Sequence, residues 1–131
     1  MIGLDTSLLV RYLVGSPPDQ AARSTTLIDG DQQLGISVIA LLETAHVLRT
    51  QYGIDRSAVV DTLIELVTRA NVTTLELSKA DVLGALVIAR TYPSSPIGDA
   101  LIAAASHAFG AVPIATFDRD FARLGTEVIE P

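Results

Sequence analysis

The chain has 131 residues, no cysteine, and 9 basic against 15 acidic side chains, for a formal charge of −6. The missing cysteines exclude disulfides, thiolate catalysis and cysteine-ligated zinc. The negative charge excludes nucleic-acid binding by bulk electrostatics, so phosphate chemistry would need a metal or a few placed arginines.

Charged residues make up 18% and apolar residues 49%, with a mean hydropathy of +0.43. That balance excludes disorder and hints at apolar surface covered by a partner or a second copy. The length fits a single domain, residues 1–131, burying roughly two-thirds of its unfolded surface. The opening MIGLDTSLL has no basic segment and meets an acid at Asp5, so it does not read as a signal peptide. The long uncharged stretch Ala100–Thr116 contains Ser106, His107, Gly110 and Pro113 and reads as helix, turn and strand, not a membrane span. A cytoplasmic location is the expectation.

Ile2–Leu4 is an apolar run predicted as a strand ending at Asp5. Thr6–Val14 follows as a helix with Leu8, Leu9, Tyr12 and Leu13 on one face. Ser16, Pro17, Pro18 and Asp19 read as an N-cap, a first-turn proline and a capping-box acid, opening a helix to Asp29. Leu34–Ser37 is the second strand. Val38–Tyr52 is the next helix, with Ser37 as cap and Gly53 as stop. Asp55 caps a helix over Arg56–Ala70, Val72–Leu75 is the third strand, and Ser78-x-x-Asp81 opens a helix to Thr91. Ser95–Pro96 begins a helix to Phe109, Pro113–Thr116 is the fourth strand, Asp118–Leu124 is a short helix, and Glu127–Ile129 is a fifth strand. Short strands alternating with helices predict an α/β fold with a parallel sheet and helices on both faces. Ligands in such sheets bind at the carboxyl ends of the strands.

Most of the 15 acids have local explanations. Asp19, Asp55 and Asp81 read as helix-start residues, Asp29, Asp31, Asp61, Glu65 and Glu76 as solvated surface, and Glu127 and Glu130 as flanks of the last strand. Five remain. Asp5 follows a strand, with an N-cap as the plain alternative. Glu43 sits in an apolar turn of V-I-A-L-L-E-T-A-H-V-L, either on a wet stripe or partly buried. Asp99 starts a helix of Ala, Leu and Ile, where an unpaired acid is costly. Asp118 and Asp120 follow the fourth strand, one of them as a cap. Convergence of such carboxylates on one edge would raise some of their pKa values, and a hard divalent cation, Mg²⁺ or Mn²⁺, is the ordinary remedy. Such a metal suits phosphoryl-transfer chemistry.

The ordered set I-G-L-D-T-S-L-L, L-L-E-T-A-H-V-L, I-G-D-A-L-I-A-A-A and I-A-T-F-D-R-D-F resembles a PIN domain, and more narrowly the VapC-type ribonuclease toxins of toxin–antitoxin pairs. The resemblance runs from Ile2 to about Leu124. It implies a three-layer α/β/α sandwich with a central, mainly parallel sheet of four to five strands. It also implies a Mg²⁺- or Mn²⁺-dependent endoribonuclease acting on RNA, a homodimer, and a cognate antitoxin that blocks the site. The family's four acids fall on Asp5, Glu43, Asp99 and Asp118, as metal ligands and catalytic groups, with Asp99 or Glu43 taking the proton of the attacking water. Its hydroxyl before the last acid falls on Thr116. Asp120 and Thr6 are secondary candidates. Gly98, before Asp99, departs from the more usual Ala or bulkier residue.

Arg11, Arg49, Arg90, Arg119 and Arg123 lie near these acids in sequence and are candidates for phosphate contacts. Arg119 could instead pair with a neighbouring acid. His46 and His107 offer a metal-free acid–base route that would leave a cyclic phosphate, against the plainer reading of surface histidines. No H-E-x-x-H, G-x-G-x-x-G or G-x-x-x-x-G-K-[ST] occurs, so zinc-hydrolase and nucleotide-cofactor roles have no support. The alternative from another class is a catalytically silent PIN-like module binding protein or RNA. The apolar faces of the first two helices suggest an antitoxin groove.

Overall fold

A computed structural model describes residues Met1–Pro131. Five strands and six α-helices alternate: β1 (Ile2–Leu4), α1 (Thr6–Val14), α2 (Pro18–Ile28), β2 (Leu34–Ile36), α3 (Val38–Thr50), α4 (Arg56–Thr68), β3 (Val72–Thr74), α5 (Lys79–Thr91), α6 (Ile97–Ala108), β4 (Ile114–Ala115) and β5 (Val128–Ile129). A 3-10 turn, Arg119–Leu124, joins β4 to β5. Every strand pairing is parallel, which requires the helical crossovers the chain supplies. This is the expected α/β architecture of a PIN-like sandwich.

The strands hydrogen bond as a ladder of three, β1-β2-β3, and a ladder of two, β4-β5. The register pairs Ile2, Gly3 and Leu4 with Leu34, Gly35 and Ile36, then with Val72, Thr73 and Thr74. Strand β2 is buried along its whole length, as a central parallel strand must be when both faces are covered. The approach at Gly35 is tight: a Cβ there would lie 3.0 Å from Met1 Sδ and 3.2 Å from Leu75 Cδ2, so those side chains would have to give by a few tenths of an ångström. Strand β4 has only two residues. Pro113, which has no N–H to donate, stands immediately before it.

The main core joins Leu4 and Leu9 to Leu34 and Ile36 of the sheet, to Leu41 and Leu48 of α3, to Val59, Val60, Leu63 and Val67 of α4, and to Val82 and Leu86 of α5. Its members repeat at three and four residues along each helix, the spacing of one buried stripe. A second, small cluster of Ala103, Phe121 and Leu124 ties the β4–β5 end to α6, with Ile114 and Val128 against it.

Most helix starts follow their local signals. Asp5 accepts the Leu8 N–H at 3.0 Å, Ser37 that of Ala40 at 3.0 Å, Asp55 that of Ser57 at 3.2 Å and Ser78 that of Asp81 at 3.1 Å. The expected Ser16 cap does not form. Pro17 is the cap position of α2, with Pro18 in the first turn and no side-chain cap. A proline at the first helical position has no N–H needing a partner and a preset φ, so α2 starts one residue later than the motif suggests.

Three acids expected to be solvated have structural partners. Asp29 Oδ1 pairs with Arg69 at 2.8 Å and accepts the Tyr12 hydroxyl at 3.0 Å, joining α1, α2 and the end of α4. Asp61 pairs with Arg90 at 2.8 Å across α4 and α5. Glu76, at φ 62°, accepts the Val38 N–H at 3.1 Å and so helps to satisfy the start of α3.

Candidate metal-binding active site

Asp5 leaves the carboxyl end of β1 and caps α1. Its carboxylate accepts the Leu8 N–H and the Ser7 hydroxyl, the latter at 2.9 and 3.1 Å. These donors, led by the Leu8 N–H and helped by Arg11, hold the Asp5 carboxyl below its ordinary value. The N-cap reading and a ligand role are compatible, because a carboxylate has more lone pairs than the cap uses.

The residue next to Asp5 reaches the second acid. Thr6 Oγ1 donates to Glu43 Oε2 at 2.8 Å, bridging α1 and α3. Glu43 is exposed, on the wet side of α3. Its neighbour Leu42 faces the start of α6, where a Cβ built on Gly98 would stand 3.7 Å from both Leu42 δ-carbons. That is ordinary contact distance and Gly98 has no unusual φ, so the departure from Ala at this position leaves the site's backbone unchanged. Asp99 is the next residue and is half-buried. Burial, and then the charge of Asp118, hold the Asp99 carboxyl above its ordinary value.

Asp118 follows β4 and caps the 3-10 turn, accepting the Asp120 N–H at 2.9 Å. Thr116 Oγ1 accepts the Asp118 N–H at 3.0 Å and so fixes the backbone beneath it. Asp120 stands apart from the other acids: Arg123 pairs with it at 2.6 Å and neutralises it. The alternative pairing of Arg119 with a neighbouring acid does not occur.

The backbone thus brings the acids together as two neighbouring pairs of segments, Asp5–Thr6 against Glu43, and Gly98–Asp99 with Asp118. The side chains are less gathered: no three of the His, Asp and Glu groups stand close enough to hold a metal ion. The donor set nevertheless fits a hard cation. All four acids offer oxygen, neither Asp99 nor Asp118 has a cationic partner, and burial, followed by the unrelieved charge of Asp118, raises the proton affinity of Asp99. A divalent ion relieves that repulsion, and oxygen donors suit Mg²⁺ or Mn²⁺.

A groove of about 640 Å³ opens beside this group, between α3 and the start of α6. Glu43, His46, Arg49, Pro96 and Gly98 line it. His107 lies in another groove, with Asp81 and Thr126, so the two histidines do not face one substrate and the metal-free pair fails on geometry. Arg90 and Arg123 are taken up by Asp61 and Asp120, and Arg11 by Gln20 at 2.5 Å. Of the five arginines considered for phosphate, Arg49 and Arg119 remain unpaired.

Two contributors were not found in the sequence. Ser7 donates to Asp5, and the same D-x-S arrangement recurs where Ser57 Oγ donates to Asp55 at 2.7 Å, so that spacing was a readable signal. Arg56 holds the carbonyls of Ala89, at 2.8 Å, and Ser95, anchoring the loop that feeds Asp99 into α6. A contact across 39 residues leaves no local signal.

Carboxylates just past the ends of parallel strands define this as an α/β protein with an acidic, oxygen-donor site. The PIN domain family matches residues 2–127. The chain belongs to that family, whose fold is generally that of a metal-dependent nuclease and whose members typically use divalent metal ions. No curated protein matches the chain. No helix is long and apolar enough to cross a membrane.

Removing the Thr6–Glu43 hydrogen bond should weaken the site without unfolding the protein. Thr6→Val keeps the shape of the side chain and removes the donor to Glu43. Residues that orient a metal ligand typically change affinity about 10- to 100-fold. The lower end is expected here because the bond is exposed, and a divalent-ion titration followed by calorimetry checks it. Unchanged affinity would show that Thr6 does not position Glu43 for a metal.

Proposed function

We propose that this protein is a Mg²⁺- or Mn²⁺-dependent endoribonuclease of the VapC toxin type, restrained by a cognate antitoxin. The observation that carries the nuclease reading is the uncompensated Asp99–Asp118 pair beside a groove that also holds Glu43. Asp5, Glu43, Asp99 and Asp118 would hold the metal. A bound divalent ion would supply charge neutralisation at the scissile phosphate and a more acidic water.

The chain's own part is proton transfer and positioning. Asp99, with its raised proton affinity, is better suited than Glu43 to accept the proton of the attacking water. Thr6 steadies Glu43, and Thr116 steadies the backbone of Asp118. The water oxygen bonds to phosphorus in line, the bond to the 3′ oxygen breaks, and that oxygen takes a proton from solvent. The products are a 5′-phosphate and a 3′-hydroxyl.

The toxin reading rests on the four motifs and their order in a chain of this length. A homodimer is supported by an apolar groove of about 420 Å³ between α3 and α6, with Ile39 69%, Leu42 40% and Ile102 50% exposed. The antitoxin surface is recast. The groove between α1 and α2 is polar, lined by Ser7, Arg11, Gln20, Arg23 and Ser24, because the apolar residues Leu9, Val10, Ala21 and Ile28 turn inward. An antitoxin segment seated there would be acidic or polar.

One observation favours the second reading, a silent PIN-like module binding protein or RNA: no three acids are gathered without a metal. Digestion of single-stranded RNA by the purified protein separates the two. Cleavage that leaves 5′-phosphate ends, stops in EDTA and returns with Mg²⁺ or Mn²⁺ supports the nuclease. Cyclic-phosphate ends, or cutting that survives EDTA, contradicts it.

A further inference from the structure

Seven of the nine basic side chains are engaged within the molecule. Arg23, Arg69, Arg90 and Arg123 have carboxylate partners. Arg11 donates to Gln20, Arg56 to the Ala89 and Ser95 carbonyls, and Lys79 to the Arg69 carbonyl at 2.8 Å. Arg49 and Arg119 alone have neither an ion pair nor a hydrogen bond. In a chain of net charge −6, carboxylate partners are plentiful, so two free guanidiniums, each beside a candidate site acid, point to an anion from outside.

Their places are specific. Arg49 lines the groove that contains Glu43. Glu43, His46 and Arg49 form one i, i+3, i+6 row across α3, with Arg49 about 9 Å further along the axis. That is too far to share the phosphate held at the acids and suits a neighbouring one. Arg119 is exposed and directly follows Asp118, at the start of the 3-10 turn. Phe117 directly precedes Asp118 and is 85% exposed. A large aromatic left in water two residues from an unpaired arginine matches the chemistry of single-stranded nucleic acid, whose bases stack on rings and whose phosphates pair with arginine.

We propose that the acidic site is flanked by a grip for single-stranded RNA, in which Phe117 stacks on a base while Arg49 and Arg119 bind the phosphates flanking the cut. The grip names the substrate contacts of the nuclease proposed above and rests on it for the class of substrate. It also explains how an acidic protein holds a polyanion: affinity comes from two placed cations and one stack, not from net charge.

The test measures fluorescence anisotropy of a labelled single-stranded RNA of mixed sequence against the Asp99→Asn protein over a series of KCl concentrations. Phe117→Ala, Arg49→Gln and Arg119→Gln are added one at a time to that background. Phe117→Ala should weaken binding about 5- to 150-fold with an unchanged salt slope, as expected for one lost stack. Each arginine variant should lower the salt slope by about 0.7, the value for one lost phosphate contact on a single strand. All three side chains are on the surface, so loss of fold does not intervene. Parental affinity and slope in all three variants overturn the grip. So does a change in oligomeric state on size exclusion with RNA affinity intact, which would make Phe117 a contact between protein chains. Cleavage by the wild-type protein is scored separately. Normal cutting with unaffected variants removes only the grip, whereas tight, variant-sensitive binding without cutting removes only the nuclease.

Discussion

Asp99→Asn should reduce RNA cleavage by about 10²- to 10⁴-fold, the usual contribution of a positioned proton acceptor, while making the metal-free protein more stable at neutral pH. The two effects have one cause. Burial and the charge of Asp118 raise the Asp99 pKa in the folded state, so the folded protein binds that proton more tightly than the unfolded chain. Stability from this group is greatest at pH below the unfolded pKa and falls as pH rises through the raised folded value. Above that value the carboxyl is ionised in both states, and only in the folded protein is that charge desolvated and repelled by Asp118. Asparagine carries none. The stabilisation should therefore be present at pH 7 and vanish in acid, where the wild-type carboxyl is protonated in both states. Thermal melts in EDTA at the two pH values check this. Mg²⁺ should then raise the melting temperature of the wild type and leave the variant unmoved. A variant less stable than wild type at pH 7 in EDTA would show that Asp99 is compensated by a partner.

Asp5 should show a different division. Asp5→Ala and Asp5→Asn should both abolish cleavage, since each removes a charge proposed to hold the metal, but only alanine should cost the fold appreciably. Asparagine still offers an oxygen to the Leu8 N–H and the Ser7 hydroxyl, and Asn is about as good an N-cap as Asp. Alanine leaves the first turn of α1 open, a loss of about 1 kcal/mol, with a range of about 0.5–2. The wild-type carboxyl has a lowered pKa, so its contribution is present above the unfolded pKa and is lost as pH falls through the folded value, opposite in sign to Asp99. Urea denaturation of the three proteins at pH 7 separates the roles. Equal stability of the two variants would mean that the cap contributes nothing, and full activity in the asparagine variant would remove Asp5 from the ligand set.

What was legible in the sequence follows the range of each interaction. Caps act within three residues, so Asp5, Ser37, Asp55 and Ser78 announce their helices and the structure keeps each of them, and of the two candidates Asp118 and Asp120 it is Asp118 that caps the 3-10 turn. Ser16 misled because S-P-P-D satisfies two local rules at once, and the second proline took the helix start. The alternation of strand and helix announced a parallel sheet, but not that its hydrogen bonds would divide into three strands and two.

The site was legible as a list of residues and not as an arrangement. Thr6 meets Glu43 across 37 residues, and Arg56 reaches Ser95 across 39. Such pairs depend on how α1, α3 and α6 pack, which no local pattern encodes. The fates of the arginines show the same limit. Arg90 and Arg49 look alike in sequence, yet one is held by Asp61 and the other faces an open groove.

The central claim is that these carboxylates cut RNA with a divalent metal. Its most direct test adds purified, partner-free protein to a bacterial cell-free translation extract and sequences all new RNA 5′ ends, with EDTA and Asp99→Asn as parallel controls. Defined 5′-phosphate ends that disappear in both controls are expected. The absence of new ends from folded, metal-supplied protein, or the same ends in the Asp99→Asn control, would contradict it.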